Sequence, residues 1–198
     1  MVLRFACIAL AFCSLFACAT VPASQVTDLK EVPQEMTVLV GKIEMHPPLQ
    51  PAEQHLSTDR GEELKNSFVL YCGDAAQDFK KNKPVGFEGS FLVTLEQEFF
   101  IKVNKDRTVY IPGGSFYTVY EPPFQVELVT LSSLFKVELR PDDEAVYIGT
   151  IQYYRDDRNE LQSVTIRDDY QWADAEFKER FGMDKTLRKA LLTPASSK

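Results

Sequence analysis

The sequence predicts a mainly β protein, an antiparallel β-sandwich with one or two short α-helices packed on it at the C-terminal end. Three observations carry that prediction. Short segments rich in aromatic and β-branched residues alternate apolar and polar side chains along most of the chain. The links between them, "NKD", "PGG", "EPP", "RPDDE" and "RDDRNE", have turn chemistry. After residue 168 the apolar period changes from two to about four.

The predicted strands run in order. They are "MTVLVGKIEM" (36–45), "SFVLYC" (67–72), "FFIKVN" (99–104), "RTVYIP" (107–112) and "SFYTVYE" (115–121). "FQVELVTL" (124–131), "FKVELR" (135–140), "AVYIGTIQYY" (145–154) and "QSVTIRD" (162–168) follow. In "FKVEL", Phe135, Val137 and Leu139 share one face and Lys136 and Glu138 the other, a strand with one wet side. Evenly spaced short strands of this kind form sandwiches or barrels. In "DDYQWADAEFKERFG", Ala173, Phe177 and Phe181 recur every four residues; Asp168 or Asp169 can cap the helix and Gly182 can end it. "MDKTLRKALL" predicts a second turn of helix, with Leu187, Ala190 and Leu191 on one stripe and Pro194 stopping it. The stretch from His46 to Lys65 reads as loop, with a short helix at "PAEQHL".

The first residues are of another kind. "MVLR" supplies one positive charge at Arg4, and Phe5 to Phe16 is an apolar run interrupted only by Ser14. That is a secretory signal in pattern, too short to span a bilayer as a helix. "LFAC", Leu15 to Cys18, resembles the lipobox of bacterial lipoproteins: an aliphatic residue, a small residue before the cut, and a cysteine after it. The resemblance implies a thioether-linked lipid on Cys18 and a cut between Ala17 and Cys18. The residue after it is Ala19 and not the aspartate of inner-membrane retention in enteric-type lipoproteins, so the same resemblance implies an outer-membrane protein facing the periplasm. "ACA", Ala17 to Ala19, is also a site for ordinary signal peptidase, which would release a soluble periplasmic protein starting at Thr20. Cys7 and Cys13 are small apolar residues of the signal.

The chain therefore divides into a signal peptide (1–17), a lipidated N-terminus and flexible tether (18–35), one sandwich domain with its helices (36–193) and a tail (194–198). The tether assignment rests on its small, polar and proline residues, which lack apolar periodicity. With 29 acidic against 22 basic residues the formal charge is −7, and no lysine or arginine cluster relieves it. Such a body is repelled by phosphate backbones and anionic head groups, so nucleic acid is excluded as a partner and the membrane is held by the anchor. Once Cys18 is acylated, Cys72 has no partner for a disulfide.

Two longer stretches carry a family resemblance. "FFIKVNKDRTVYIPGGSFYTVY" is similar to the strand pair and aromatic strand of transthyretin-like (prealbumin-like) sandwich domains. "AVYIGTIQYYRDD…VTIRDDYQWADAEFKERFG", with "VGKIEMHPPLQPAEQHL" upstream, resembles small outer-membrane-type bacterial lipoproteins. The resemblance implies a fold and an address, but no activity and no catalytic residues.

Candidate chemistry is sparse. The two histidines, His46 and His55, each lie two residues after a glutamate, Glu44 and Glu53, a spacing that puts each pair on one face of a strand. These four could hold zinc or copper, or be plain surface residues of a polar segment. Cys72, alternating with Phe68 and Leu70, is expected to be buried rather than reactive. Asp142-Asp143-Glu144, Asp156-Asp157 and Asp168-Asp169 could join around calcium, or serve as turns and caps. Tyr117, Tyr120, Tyr147, Tyr153 and Tyr154 could line a glycan-binding face, or sit half-buried in strands. No nucleophile and base converge in the sequence. The expectation is a non-enzymatic envelope protein without a cofactor, bound to the membrane and to an envelope protein partner. The alternative is a periplasmic binding module for a glycan, a peptidoglycan fragment or a metal ion.

Overall fold

A computed structural model describes residues 25–50, 66–73, 89–105, 107–120 and 125–196. The strands are β1 (Met36–His46), β2 (Ser67–Gly73), β3 (Ser90–Thr94), β4 (Glu98–Asn104), β5 (Thr108–Tyr120), β6 (Gln125–Glu138), β7 (Ala145–Arg155) and β8 (Leu161–Arg167). A 3-10 turn (Leu29–Glu31), helix α1 (Tyr170–Phe181) and two short strands, β9 (Arg188–Lys189) and β10 (Thr193–Pro194), complete the described elements. One sheet has the order β4-β1-β7-β8, with β9 also on β7; the other has the order β10-β6-β5-β2-β3. This is the mainly β sandwich that the alternation predicts. The first sheet is mixed, because β1 runs parallel to β7.

The inner faces of the two sheets share one core, in which Leu39, Ile43, Phe68, Leu70, Phe99, Ile101, Phe116 and Ile151 are sealed from solvent. The outer face of the first sheet is also apolar along half its length. There Val38, Val40, Phe100, Ala145 and Tyr147 pack under Ala173 and Phe177 of α1 and under Leu187. Burial on both faces explains why "TVLV" and "AVYI" read as continuous apolar runs while "FKVEL" alternates.

Four expectations are corrected. "PGG" is not a turn: β5 runs through it, with a register shift between Ile111 and Gly113 against β6. A Cβ on Gly113 would lie 2.1 Å from the Leu131 carbonyl oxygen, so glycine is required by close backbone approach inside a bulge. Likewise 124–131 and 135–140 belong to the single strand β6.

The second helical turn is absent, because residues 188–194 are extended. β8 pairs with β7 only from Thr150 onward, leaving the first half of β7 with an open edge. β9 takes that edge, with Ala190 N donating to Tyr147 O (2.9 Å) and Leu192 N to Ile148 O (3.0 Å). Such sheet bonds outcompete a short helix that is marginal by itself. β10 then joins β6 in the other sheet, so the C-terminal segment ties the two layers together.

Residues 25–35 are not a free tether. Gln25 Oε1 accepts from Phe100 N (2.8 Å), Val26 N donates to Phe100 O (2.7 Å), and Val26 is buried in the outer cluster. Strand β3 was not predicted from the sequence. Among the described residues no helix is long and apolar enough to cross a membrane.

Candidate functional site

The polar half of the same outer face arises from one irregularity. Ile148 is the extra residue of a β-bulge in β7: Val40 pairs with Tyr147, and Gly41 with Gly149. Gly149 takes φ +105°, and a Cβ there would meet Ile166 Cγ2 at 2.5 Å. The bulge turns Thr150, Gln152 and Tyr154 outward, in continuation of Ala145 and Tyr147. The pairing then sets side chains in rows across the sheet. The first holds Glu98, Lys42, Thr150 and Arg167; the second Glu44, Gln152 and Thr165; the third His46, Tyr154 and Ser163.

Glu44 is the centre of this shelf and is only 6% exposed. Its Oε1 accepts from Arg167 (2.6 Å) and lies 3.3 Å from Lys42 Nζ, while Oε2 accepts from Gln152 Nε2 (3.0 Å). Burial alone would raise its carboxyl pKa. The hydrogen bonds from Arg167 and Gln152 and the Arg167 charge outweigh burial and hold it below the usual range. Gln152 in turn accepts from Thr165 Oγ1 (3.1 Å). Arg167 also donates through Nε to both carboxylate oxygens of Asp169 (2.8 and 3.0 Å), and Thr150 Oγ1 donates to Asp169 (2.8 Å). Its guanidinium pKa is raised, first by Glu44 and then by Asp169.

Asp169 precedes α1 but makes no side-chain cap bond. Its backbone N–H goes to the Tyr147 hydroxyl (2.8 Å), whereas Asp168 accepts from Tyr170 N (3.2 Å) and pairs with Lys189. That hydrogen bond from Lys189 lowers the Asp168 carboxyl pKa.

Between the first row and the start of α1 lies an open groove of about 800 Å³. Lys42, Glu98, Thr150, Tyr147, Arg167, Asp169 and Lys189 line it, and Trp172 lines it from the helix. Trp172 is 61% exposed, while the next apolar residue of the helix, Ala173, is buried.

The predicted site residues fare differently. Glu44 and His46 do share a face, with His46 Nε2 3.7 Å from Glu44 Oε2 and its ring stacked on Tyr154 (4.8 Å between centroids). Among the described residues no group of three or more histidine, cysteine, aspartate or glutamate side chains could hold a metal ion. Glu44 is already engaged by Arg167, Lys42 and Gln152. Cys18, Glu53 and His55 lie outside the described residues. Cys72 is buried as expected, and burial pushes its thiol up to about 12.

The acidic clusters do not converge. Asp143 is held by Arg188 (2.5 and 2.6 Å), Asp156 closes its own turn onto Arg158 N and Glu160 N, and Asp168-Asp169 face the groove. Tyr120's side chain lies outside the described residues, and three of the other tyrosines do not share one face. Tyr153 points into the inner core, where its hydroxyl bonds to Ser133 (3.1 Å), while Tyr147 lies under α1 and Tyr154 stands on the far end of the shelf.

Arg167, Gln152, Thr150, Lys42 and Trp172 were not singled out from the sequence. A signal for two of them exists: "GTIQYY" places Thr150 and Gln152 at alternate positions of an otherwise apolar strand, the mark of a polar face. Arg167 and Trp172 carry no such mark, since their meaning depends on the fold bringing β8 beside β7 and α1 over both.

Compared with protein-family models, with curated proteins and with solved structures, the chain matches none.

Proposed function

We propose that this chain is a lipid-anchored, non-enzymatic protein of the bacterial cell envelope, held on the outer membrane facing the periplasm, whose sandwich body binds another envelope component. The observation that carries this reading is the N-terminal segment: a basic start, the apolar run Phe5–Phe16 and the lipobox-like "LFAC" ending at Cys18. Two or three acyl chains, each contributing about 0.8 kcal/mol per buried methylene, exceed what a single chain supplies and make a stable anchor. For the body, binding rather than turnover is supported by how its charged groups are used. Arg167 is paired with Glu44 and Asp169 and Lys189 with Asp168, and the Cys72 thiol is sealed in the core, where burial raises its pKa to about 12.

The test is Cys18→Ala in cells. The expected result is loss of palmitate labelling and transfer of the protein to the soluble fraction. A variant that still labels and still fractionates with membranes overturns the anchor. Crosslinking of the wild type in cells followed by mass spectrometry then identifies a protein partner.

A second reading, a binding module for a glycan or a peptidoglycan fragment, is favoured by one observation: the exposed Trp172 lining the same groove as fixed polar groups.

A further inference from the structure

We infer that the groove beside Trp172 binds a neutral oligosaccharide, with one sugar ring lying on the indole and its hydroxyls bonded to the groove's paired charges. The inference rests on the second reading above and adds the ligand's charge class and the residues that hold it.

Charge is the first argument. Lys42, Arg167 and Lys189 face Glu98, Asp168 and Asp169 around the groove, three cations against three anions. Arg167 is bound to Glu44 and, through both oxygens, to Asp169; Lys189 is paired with Asp168. A charged ligand that took Arg167, Lys189, Asp168 or Asp169 as its counter-ion would compete with one of these pairs. A hydroxyl group has no such conflict, because it donates to a carboxylate and accepts from an ammonium or guanidinium while the ion pair stays in place.

Preorganisation is the second. The Arg167 fork is held by two carboxylates, and Asp169 is fixed by Thr150 and Arg167, so little side-chain freedom is lost on binding. The third is the aromatic wall. Sugar rings are amphipathic, with a rim of hydroxyls and faces of C–H groups, and a large flat side chain is the surface that buries such a face. Trp172 is 61% exposed at the groove, and the helix leaves it there while burying Ala173 and Phe177 against the sheet. The volume, about 800 Å³, lies within the range of small-ligand clefts and admits more than one sugar.

The structure also supplies the assay, since Trp172 is the only tryptophan in the chain. Its fluorescence reports on the groove alone. The full-length protein in detergent is titrated with a neutral tetramer of β-1,4-linked N-acetylglucosamine, with its deacetylated cationic counterpart, and with an anionic muropeptide. Binding is read by fluorescence and by calorimetry.

The expected result is a saturable blue shift with the neutral tetramer, and weakening by roughly tenfold or more in Trp172→Ala, as for loss of an aromatic anchor. The melting temperature of Trp172→Ala should stay that of the wild type, because the side chain it loses is mostly solvated. Binding of a charged probe without the neutral one overturns the charge argument and leaves the binding-module reading standing. Absence of saturable binding for all three probes overturns the glycan reading together with the inference, and the envelope-partner reading is unaffected. Undiminished affinity in Trp172→Ala overturns the placement of the site.

Discussion

Replacing Phe177 by alanine should destabilise the protein severely, although the side chain belongs to α1 and not to the sandwich interior. Phe177 is fully buried against the outer-face cluster of Val38, Val40, Phe100, Ala145 and Tyr147. An aromatic side chain removes about 150–250 Å² from water, and at about 25 cal/mol per Å² its complete burial corresponds to roughly 4–6 kcal/mol. Alanine keeps the β-carbon, so the transfer loss is smaller, but the cavity adds to it; core Phe→Ala changes cost about 3–5 kcal/mol. For a domain of this size each kcal/mol lowers the melting temperature by about 2–4 °C, so the expected fall is roughly 6–20 °C.

Thermal unfolding followed by far-ultraviolet circular dichroism measures it, with Glu179→Ala, on the exposed side of the same helix, as the control. Surface changes of that kind stay within about 0.5 kcal/mol. Hydrogen exchange should show the amides of α1 and of residues 25–35 opening first, because both segments cover the same apolar half-face. If Phe177→Ala melts within the range of the Glu179 control, α1 is not a structural lid, and the wall of the groove is not rigid.

Two further outcomes follow from the packing. At Gly114, in the middle of β5, a Cβ would lie 2.0 Å from Phe68 Cε1 and 2.5 Å from the Val69 carbonyl oxygen. Gly114→Ala should therefore cost about 1–3 kcal/mol or more in chemical denaturation, since the backbone atom cannot yield; an unchanged midpoint would contradict the close approach of β2 and β5. Cys72 should resist thiol reagents in the native protein and react on unfolding. Its folded thiol titrates near 12 against an ordinary 9.0, so the unfolded chain loses the proton first. The corresponding stability is complete below pH 9 and declines as pH rises toward 12. Urea unfolding on either side of pH 9 should show a steeper loss for the wild type than for Cys72→Ala, and parallel losses would refute the burial argument.

The kind of body and its local grammar are written in the order of the residues. Alternation in "FKVEL" states which side chains are buried because strand geometry sends neighbours to opposite faces. The four-residue spacing of Ala173, Phe177 and Phe181 states a helix with one apolar stripe, and Gly182 states its end; both signals are local and survive any tertiary arrangement. The rest was settled by contacts between distant segments. Whether "PGG" turns the chain or bulges it depends on β6 lying opposite, and whether "LRKALL" coils or extends depends on an open edge of β7 that no local pattern reveals.

The polar shelf with its groove is the extreme case. Lys42, Glu44, Gln152, Arg167 and Trp172 come from four separate elements, and only the parallel pairing of β1 with β7, the bulge at Ile148 and the seat of α1 bring them within reach of one another. Residue types and spacings encode what each segment can become. Long-range pairing selects among those options, because its free energy is gained only when distant parts of the chain meet.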